Sequence, residues 1–316
     1  MTAGPSASSP APSATIQGRR AGPLRSVQLL LLSSHPGPSA AVTLLSLVLG
    51  LAIGLEPWRL AVLTVAVLLG QLSIGFSNDA IDASRDIAVG RTDKPIATGE
   101  MSRRTVGVAS VVALVLALAL SLAVGPGMLI AHAVLIAGGW AYNAWLKRTA
   151  FSVVPVCVSF GTLPSLATLS APDPRIAAVW AGATGAVLGI SIHFTNALPD
   201  LADDRRTGVS GLPHRLGRRV AGAVAFGALA VGAVVVLVGP LSAGGGQVAG
   251  GQADAAPTPI ALAIAIVGFV ATLLIAVVGG IRAVRLPADR LLFRLVMAAG
   301  LLIAVQLAFG GVRLIS

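Results

Sequence analysis

Residues 58–86 read WRLAVLTVAVLLGQLSIGFSNDAIDASRD, an apolar run that continues into an acidic segment with no proline between them. The run at 58–77 is long enough to cross the hydrocarbon core of a bilayer, which takes about 20 apolar residues in a helix. If the helix continues beyond this run, Asn78, Asp82 and Asp86 stand four residues apart and lie along one face. The segment therefore predicts a spanning helix whose end carries three oxygen ligands.

The rest of the chain has the composition of a membrane protein. Of its 316 residues, 55% are hydrophobic and 11% are charged, whereas a soluble domain has about 25% charged residues. The sequence predicts an all-α integral membrane protein with nine transmembrane helices around a central cavity. The nine apolar runs are residues 39–55, 58–77, 105–124, 127–146, 152–170, 176–197, 220–240, 258–280 and 292–314.

The net charge of +10 is placed on one side of these runs. With a cytoplasmic N-terminus, every lysine and arginine except Arg59, Arg175 and Arg313 falls in the tail or in connections on the inner side, which is the positive-inside pattern. We therefore expect a multi-pass plasma membrane protein with its N-terminus and acidic loops in the cytoplasm and its C-terminus outside. The partner of the apolar surface is the lipid bilayer, and no nucleic acid is expected.

The chain is expected to form one domain. Residues 1–27 are an Ala-, Ser- and Pro-rich tail that we expect to be disordered, and residues 28–316 form the nine-helix domain. A short interfacial helix at Leu29–Leu32 would precede the first span, and Ser242–Pro259 would be an external loop. The single cysteine, Cys157, excludes a disulfide framework and a cysteine metal site within this sequence.

A second acidic segment follows the sixth run. Asn196, Asp200 and Asp204 repeat the four-residue spacing of the first. Carboxylates that are stacked in this way repel one another, and hard oxygen ligands without His or Cys favour Mg²⁺, which completes its shell with phosphate oxygens. One such segment is compatible with a solvated loop. Two copies at equivalent places favour a magnesium–diphosphate site under a cytoplasmic cap.

Four stretches carry a resemblance to a known family. Asn78–Asp86 resembles the NDxxDxxxD signature of the UbiA-type intramembrane prenyltransferases, and Asn196–Asp204 resembles their second motif. Asp93–Gly99 (DKPIATG) is similar to the family's basic-Pro element, and Tyr142–Thr149 resembles its tyrosine and lysine signature. The resemblance covers residues 28–316.

The branch within that family stays open. Residues 205–208 (RRTG) and 212–217 (LPHRLG) are similar to the menaquinone and chlorophyll branches. Gln71, however, stands where ubiquinone-type members carry arginine, and Val209–Ser210 replaces a lysine-containing stretch of the menaquinone type. The resemblance implies transfer of a polyprenyl group from an isoprenyl diphosphate to a lipophilic, aromatic acceptor.

The resemblance also implies the roles of site residues, with Mg²⁺ as the cofactor. Asp82, Asp200 and Lys147 would be catalytic. The metal ligands would be Asn78, Asp82, Asp86, Asn196, Asp200 and Asp204. The diphosphate would be bound by Asn78, Lys94, Arg91, Tyr142, Lys147 and Arg148.

The two lysines support this interpretation without the resemblance. The sequence has 22 basic residues, of which only Lys94 and Lys147 are lysines, and both fall within candidate motifs. Three alternatives remain at this stage. They are a terpene cyclase on the same scaffold, a phosphoribosyl transferase-like member that uses a sugar diphosphate, and a secondary transporter, which would place its acids at mid-membrane.

Overall fold

A computed structural model describes residues 22–201, 204, 208–242, 259–287, 289–309 and 314. Within these residues the regular structure is helical, without β-strands. The helices are α1 (Pro23–Ser33), α2 (Pro36–Ala52), α3 (Pro57–Ala88), α4 (Arg103–Val124), α5 (Pro126–Ala144), α6 (Val153–Thr168), α7 (Val179–Ala197), α8 (Leu212–Ser242), α9 (Pro259–Arg285) and α10 (Arg290–Phe309). Two 3-10 turns, Leu146–Arg148 and Leu198–Asp200, follow α5 and α7.

Helices α2–α10 lie over the nine apolar runs, so the expected helical class is confirmed. In the described ranges, six helices are long and apolar enough to cross a membrane: α3, α4, α5, α8, α9 and α10. The pair α1–α2, bent by 78°, would add one broken span. The expected count of nine is not reached by this criterion. One reason is that α6 has only 16 residues, fewer than a perpendicular span requires.

Helix α3 carries the first acidic segment without a break. Its 32 residues extend for roughly 48 Å at 1.5 Å per residue, whereas the hydrocarbon core is about 30 Å thick. The acidic end of the helix is therefore able to extend out of the membrane while its first part crosses it. The expected helical continuation through Asn78, Asp82 and Asp86 is confirmed.

The N-terminal helix is longer than the sequence suggested. It begins at Pro23, inside the segment 1–27 that we expected to be disordered. Residues 1–21 of that segment lie outside the described residues. Leu24, Val27 and Leu31 are exposed along this helix, as expected for an apolar helix at an interface. Most of the proposed loop Ser242–Pro259 also lies outside the described residues.

Close helix packing rests on glycines where α6 meets α7. A Cβ added at Gly185 would overlap the carbonyl oxygen of Phe160, and one added at Gly189 would lie 3.0 Å from the carbonyl oxygen of Val156. Small residues of this kind let helix backbones approach in membranes. Because α7 leads into the second acidic segment, this contact helps to fix the position of that segment.

We predict that Gly185→Ala destabilises the protein by about 1–3 kcal/mol, the usual cost of overpacking. The obstacle is backbone, which cannot rotate away as a side chain would. Thermal unfolding in detergent measures the effect. Gly107→Ala is the matched control, because a Cβ at that helical position meets nothing within 4 Å and alanine favours the helix. Equal midpoints for the two variants would contradict the prediction.

Candidate functional site

The first acidic segment lies at the C-terminal end of α3. Asp79, Asp82 and Asp86 are all buried there. The C-terminal end of a helix carries partial negative charge, which disfavours carboxylates. Buried carboxylates also lose their hydration. The segment therefore requires nearby cations, and the structure supplies three of them from the chain itself.

Lys147 is the partner of Asp82. The 3-10 turn after α5 directs its Nζ to 2.6 Å from Oδ1 and 2.7 Å from Oδ2 of Asp82. The two side chains are 5% and 2% exposed, respectively. Burial lowers the pKa of Lys147, and the charge of Asp82 opposes that shift. The contact joins the end of α5 to α3 by a charge-assisted hydrogen bond pair.

Lys94 is the partner of Asp79. It lies in the connection between α3 and α4, and its Nζ donates to Asp79 Oδ1. His35 joins them from the turn between α1 and α2, with Nε2 at 3.2 Å from Asp79 Oδ1 and 3.1 Å from Lys94 Nζ. The other carboxylate oxygen, Oδ2 of Asp79, is buried and has no hydrogen-bond partner among the described residues.

Arg85 brings the two acidic segments together. Its guanidinium lies 3.3 Å from Asp82 Oδ2 and 3.6 Å from Asp86 Oδ1. It also lies 3.7 Å from Asp204 Oδ1 of the second segment. Asp204 Oδ2 is in turn 3.1 Å from His214 Nε2. The carboxylates of both segments thus meet at one end of the bundle.

The second segment does not form the continuous helical face that its spacing suggested. Helix α7 ends at Ala197, and Asp200 lies in the following 3-10 turn, which contains Pro199. Proline has no N–H to donate to a continuing α-helix. Asn196 is exposed and Asp200 is half-buried. Asp200 is close enough to Arg91 for its charge to act on that guanidinium.

Three of the other predicted diphosphate ligands have different surroundings. Arg91 binds Asp93 through two hydrogen bonds of 2.7 Å, which raises the pKa of Arg91 and lowers that of Asp93 to about 2. Arg148 is exposed, and its carbonyl oxygen accepts from Ser210 Oγ at 2.9 Å. Tyr142 is half-buried and packs edge-on against His193.

An amide network connects the acids to the bundle interior. Asn78 Nδ2 donates to Asn143 Oδ1 at 3.2 Å. Asn143 Nδ2 donates to Ser77 Oγ at 2.8 Å and to the carbonyl oxygen of Ile74 at 2.9 Å. These bonds fix α3 against α5 just below the acidic segment.

A largely apolar cavity begins at this network. It has a volume of about 150 Å³ and lies between α2, α3, α5 and α6. Its polar lining residues are Gln71, Tyr142, Asn143 and Ser159. Tyr142 and Asn143 thus contribute to both the cavity and the edge of the acidic site.

The oxygen atoms of the acidic segments are of the type that Mg²⁺ prefers, although in this structure they contact lysine and arginine side chains. Hard carboxylate and amide oxygens are the ligands that this ion prefers. Oδ2 of Asp79, which has no partner among the described residues, could bind such an ion. Among the described residues, however, no three His, Cys, Asp or Glu side chains converge as a metal site. Lys147 and Arg85 instead neutralise Asp82. Asp203 lies outside the described residues.

Sequence reasoning missed four residues of this arrangement: Asp79, Arg85, His35 and His214. Arg85 and Asp79 lie inside the quoted motif, but we read it for its four-residue spacing alone. His214 lies in the LPHRLG stretch that we compared with other branches. His35 is 44 residues from Asp79, and the sequence offers no signal for that contact. His193, which packs against Tyr142, has its Nε2 3.0 Å from Ser152 Oγ.

Comparisons with known proteins identify a family for this chain. The sequence profile of the UbiA prenyltransferase family matches residues 39–271. No curated protein sequence matches the chain.

Solved structures show the same fold. A UbiA homologue from Archaeoglobus fulgidus bound to GPP and Mg²⁺ superposes with a TM-score of 0.69 at 16% identity, covering 89% of this chain and 98% of that one. A UbiA homologue from Aeropyrum pernix K1 in its apo form gives 0.67 at 15% identity, covering 85% and 96%. A digeranylgeranylglyceryl phosphate synthase gives 0.61 at 12% identity, covering 89% and 99%.

We predict that Asp82→Asn destabilises the protein by about 3–5 kcal/mol, because it leaves the buried ammonium of Lys147 without its charge partner. The double variant Asp82→Asn/Lys147→Met should recover most of this loss. Thermal unfolding in detergent provides the comparison.

The exposed pair of Asp173 and Arg175, 2.9 Å apart, is the control for that experiment. Asp173→Asn should cost less than about 1 kcal/mol. A double variant as unstable as Asp82→Asn would show that the ion pair does not set the stability of this region.

Proposed function

This chain is a member of the UbiA prenyltransferase family, and we propose that it transfers a polyprenyl group from an isoprenyl diphosphate to a lipophilic, aromatic acceptor. The observation that carries the proposal is the meeting of two acidic segments with Lys94, Lys147 and Arg85 beside an apolar cavity. Acids alone would repel a diphosphate. Together with the lysine and arginine side chains and a bound metal, the acids would form a site whose positive charge complements the negative diphosphate.

The proposed metal ligands are Asn78, Asp82, Asp86, Asn196, Asp200 and Asp204. Bound Mg²⁺ supplies positive charge that neutralises the diphosphate leaving group. Two observations support this ion. The donors are hard oxygens, and the A. fulgidus homologue of the same fold was determined with GPP and Mg²⁺.

The chain's own cations stabilise the departing diphosphate. The ammonium groups of Lys147 and Lys94 lie at the end of α3. There each can exchange its hydrogen bond to a carboxylate for one to a diphosphate oxygen. Arg91, Arg148 and Tyr142 complete the proposed contacts. As the allylic carbon–oxygen bond breaks, its electron pair goes to the diphosphate oxygen, and donors placed there favour the transition state.

The carbocation that remains needs an electron-rich partner and protection from water. A ring carbon of the acceptor would supply the electrons for the new carbon–carbon bond and then release its proton. The cavity beside Tyr142 and Asn143 is largely apolar, which disfavours water. Its few polar groups are suited to orienting an acceptor that carries oxygen.

The position of the acids favours an enzyme over a transporter. The first segment occupies the last turns of α3, whereas a transporter is expected to place its ionisable residues near the bilayer midplane. We propose that the site lies at the cytoplasmic face of the plasma membrane, with the C-terminus outside. The distribution of basic residues supports this orientation.

The purified protein in detergent should convert an isoprenyl diphosphate and a phenolic or hydroxynaphthoate acceptor into a prenylated product only with Mg²⁺. EDTA should abolish turnover, and magnesium should restore it. Asp200→Ala should remove turnover because a metal ligand is lost. Mass spectrometry of a panel of diphosphates and acceptors measures the products.

If a cyclic hydrocarbon forms without an acceptor, the reaction is cyclisation of the prenyl group and not its transfer to an acceptor. Failure to release diphosphate under any of these conditions would overturn the enzymatic proposal. Asp173→Ala is the control for Asp200→Ala, since Asp173 is exposed and pairs only with Arg175 among the described residues.

Lys147→Ala should lower kcat by roughly 10² to 10³, as loss of one oxyanion donor does, and should change KM less. The charge on the leaving oxygen grows in the transition state, so the lost donor matters most there. Lys147→Arg should recover only part of kcat, because the planar guanidinium is larger and directs its donors differently. Near-normal kcat in Lys147→Ala, with an intact melting transition, would exclude Lys147 from the chemistry.

A further inference from the structure

His35 occupies an unfavourable backbone conformation. Its φ of 54° and ψ of 65° lie in the left-handed region, and it is the one non-glycine residue with positive φ in the described part of the chain. A residue before proline also favours extended backbone, and Pro36 follows. Glycine would adopt this conformation at lower cost.

The helix that begins here does not explain the choice of histidine. His35 is the N-cap residue of α2, but its side chain makes no capping hydrogen bond. The residues that usually make this bond are asparagine, aspartate and serine. The side chain extends instead toward α3, where Nε2 lies within hydrogen-bond distance of both Asp79 and Lys94.

The surrounding turn is held firmly in place. Ser39 Oγ donates to the carbonyl oxygen of Ser34 at 2.8 Å. That carbonyl lies so close to α3 that a Cβ added at Gly75 would overlap it. Gly75 is one helical turn before Asp79, so the contact fixes the turn beside the acidic segment. Strained backbone that the surrounding structure maintains in this way is a feature of functional sites.

Lys94 benefits from a second partner. A lysine side chain is flexible, and a single ion pair leaves its ammonium free to rotate about the carboxylate. Lys94 Nζ donates to Asp79 Oδ1 and, with the His35 ring proton on Nδ1, also to His35 Nε2, which lies beside that oxygen. Two acceptors together fix the direction of the ammonium. The histidine side chain is 41% exposed, whereas those of Asp79 and Lys94 are 1% and 10% exposed.

We propose that His35 is a positioning residue that holds the ammonium of Lys94 in the orientation in which it meets the diphosphate. This inference rests on the proposed function. His35 touches neither the reacting carbon nor the leaving oxygen in this role and acts only through Lys94. The backbone strain at the turn is then the cost of directing the imidazole into the site.

Two variants distinguish the effect of backbone strain at residue 35 from the effect of the side-chain contact with Lys94. His35→Asn suits the left-handed backbone, but its shorter side chain does not reach Lys94. We expect an equal or higher unfolding temperature together with a kcat lowered on the order of tenfold, the effect of losing one hydrogen bond to a charged group. KM for the diphosphate should change less. His35→Gln retains the strain and the reach, and it should retain most of the wild-type kcat.

A double-variant cycle tests the route through Lys94. In a Lys94→Ala background, His35→Asn should lower kcat no further, because interacting residues are not additive. The inference is overturned if His35→Asn keeps wild-type kcat, if His35→Gln is as slow as His35→Asn, or if the two losses multiply. Absence of prenyl transfer by the unaltered chain would overturn the proposed function, and this inference with it.

Discussion

The site depends on the neutralisation of buried carboxylates at the end of α3. Three aspartates lie near the C-terminal end of one helix, and the last of them, Asp86, is in the final turn, where the helix dipole disfavours negative charge. Removing them from water is costly unless each has a partner. Lys147 meets Asp82 and Lys94 meets Asp79, while Arg85 lies among Asp82, Asp86 and Asp204. The positions of the surrounding segments follow from these contacts.

Each cation comes from a different part of the chain. Lys147 fixes the turn after α5, Lys94 fixes the connection that leads to α4, and Arg85 connects α3 to the second acidic segment. A site assembled in this way is arranged before a substrate arrives, so little reorganisation is left for the reaction itself. The same groups that stabilise the fold are those proposed to receive the diphosphate, which links stability and activity at these positions.

The first acidic segment could be predicted from sequence because its geometry is local. No proline separates the apolar run from Asp86, so helical spacing holds throughout. The same spacing failed as a guide at Asn196 and Asp200, because Pro199 interrupts the helix between them. The contact of His35 with Asp79 is a tertiary contact at a strained turn, and neither periodicity nor propensity indicates it. The predicted count of nine spans was not reached for a related reason: apolar runs such as that of α6 are recognisable, but the length of the helix that forms depends on packing.

The use of lysine has a practical consequence for labelling. Because only two lysines occur in the sequence and both are buried at this site, the cations elsewhere on the protein are arginines. Reagents that acylate side-chain amines therefore have no surface lysine to consume them. Their rate of reaction would report how often the acidic end of the bundle opens, and a ligand seated there would slow it. Acylation measured at these two lysines thus becomes a probe of the site in this protein.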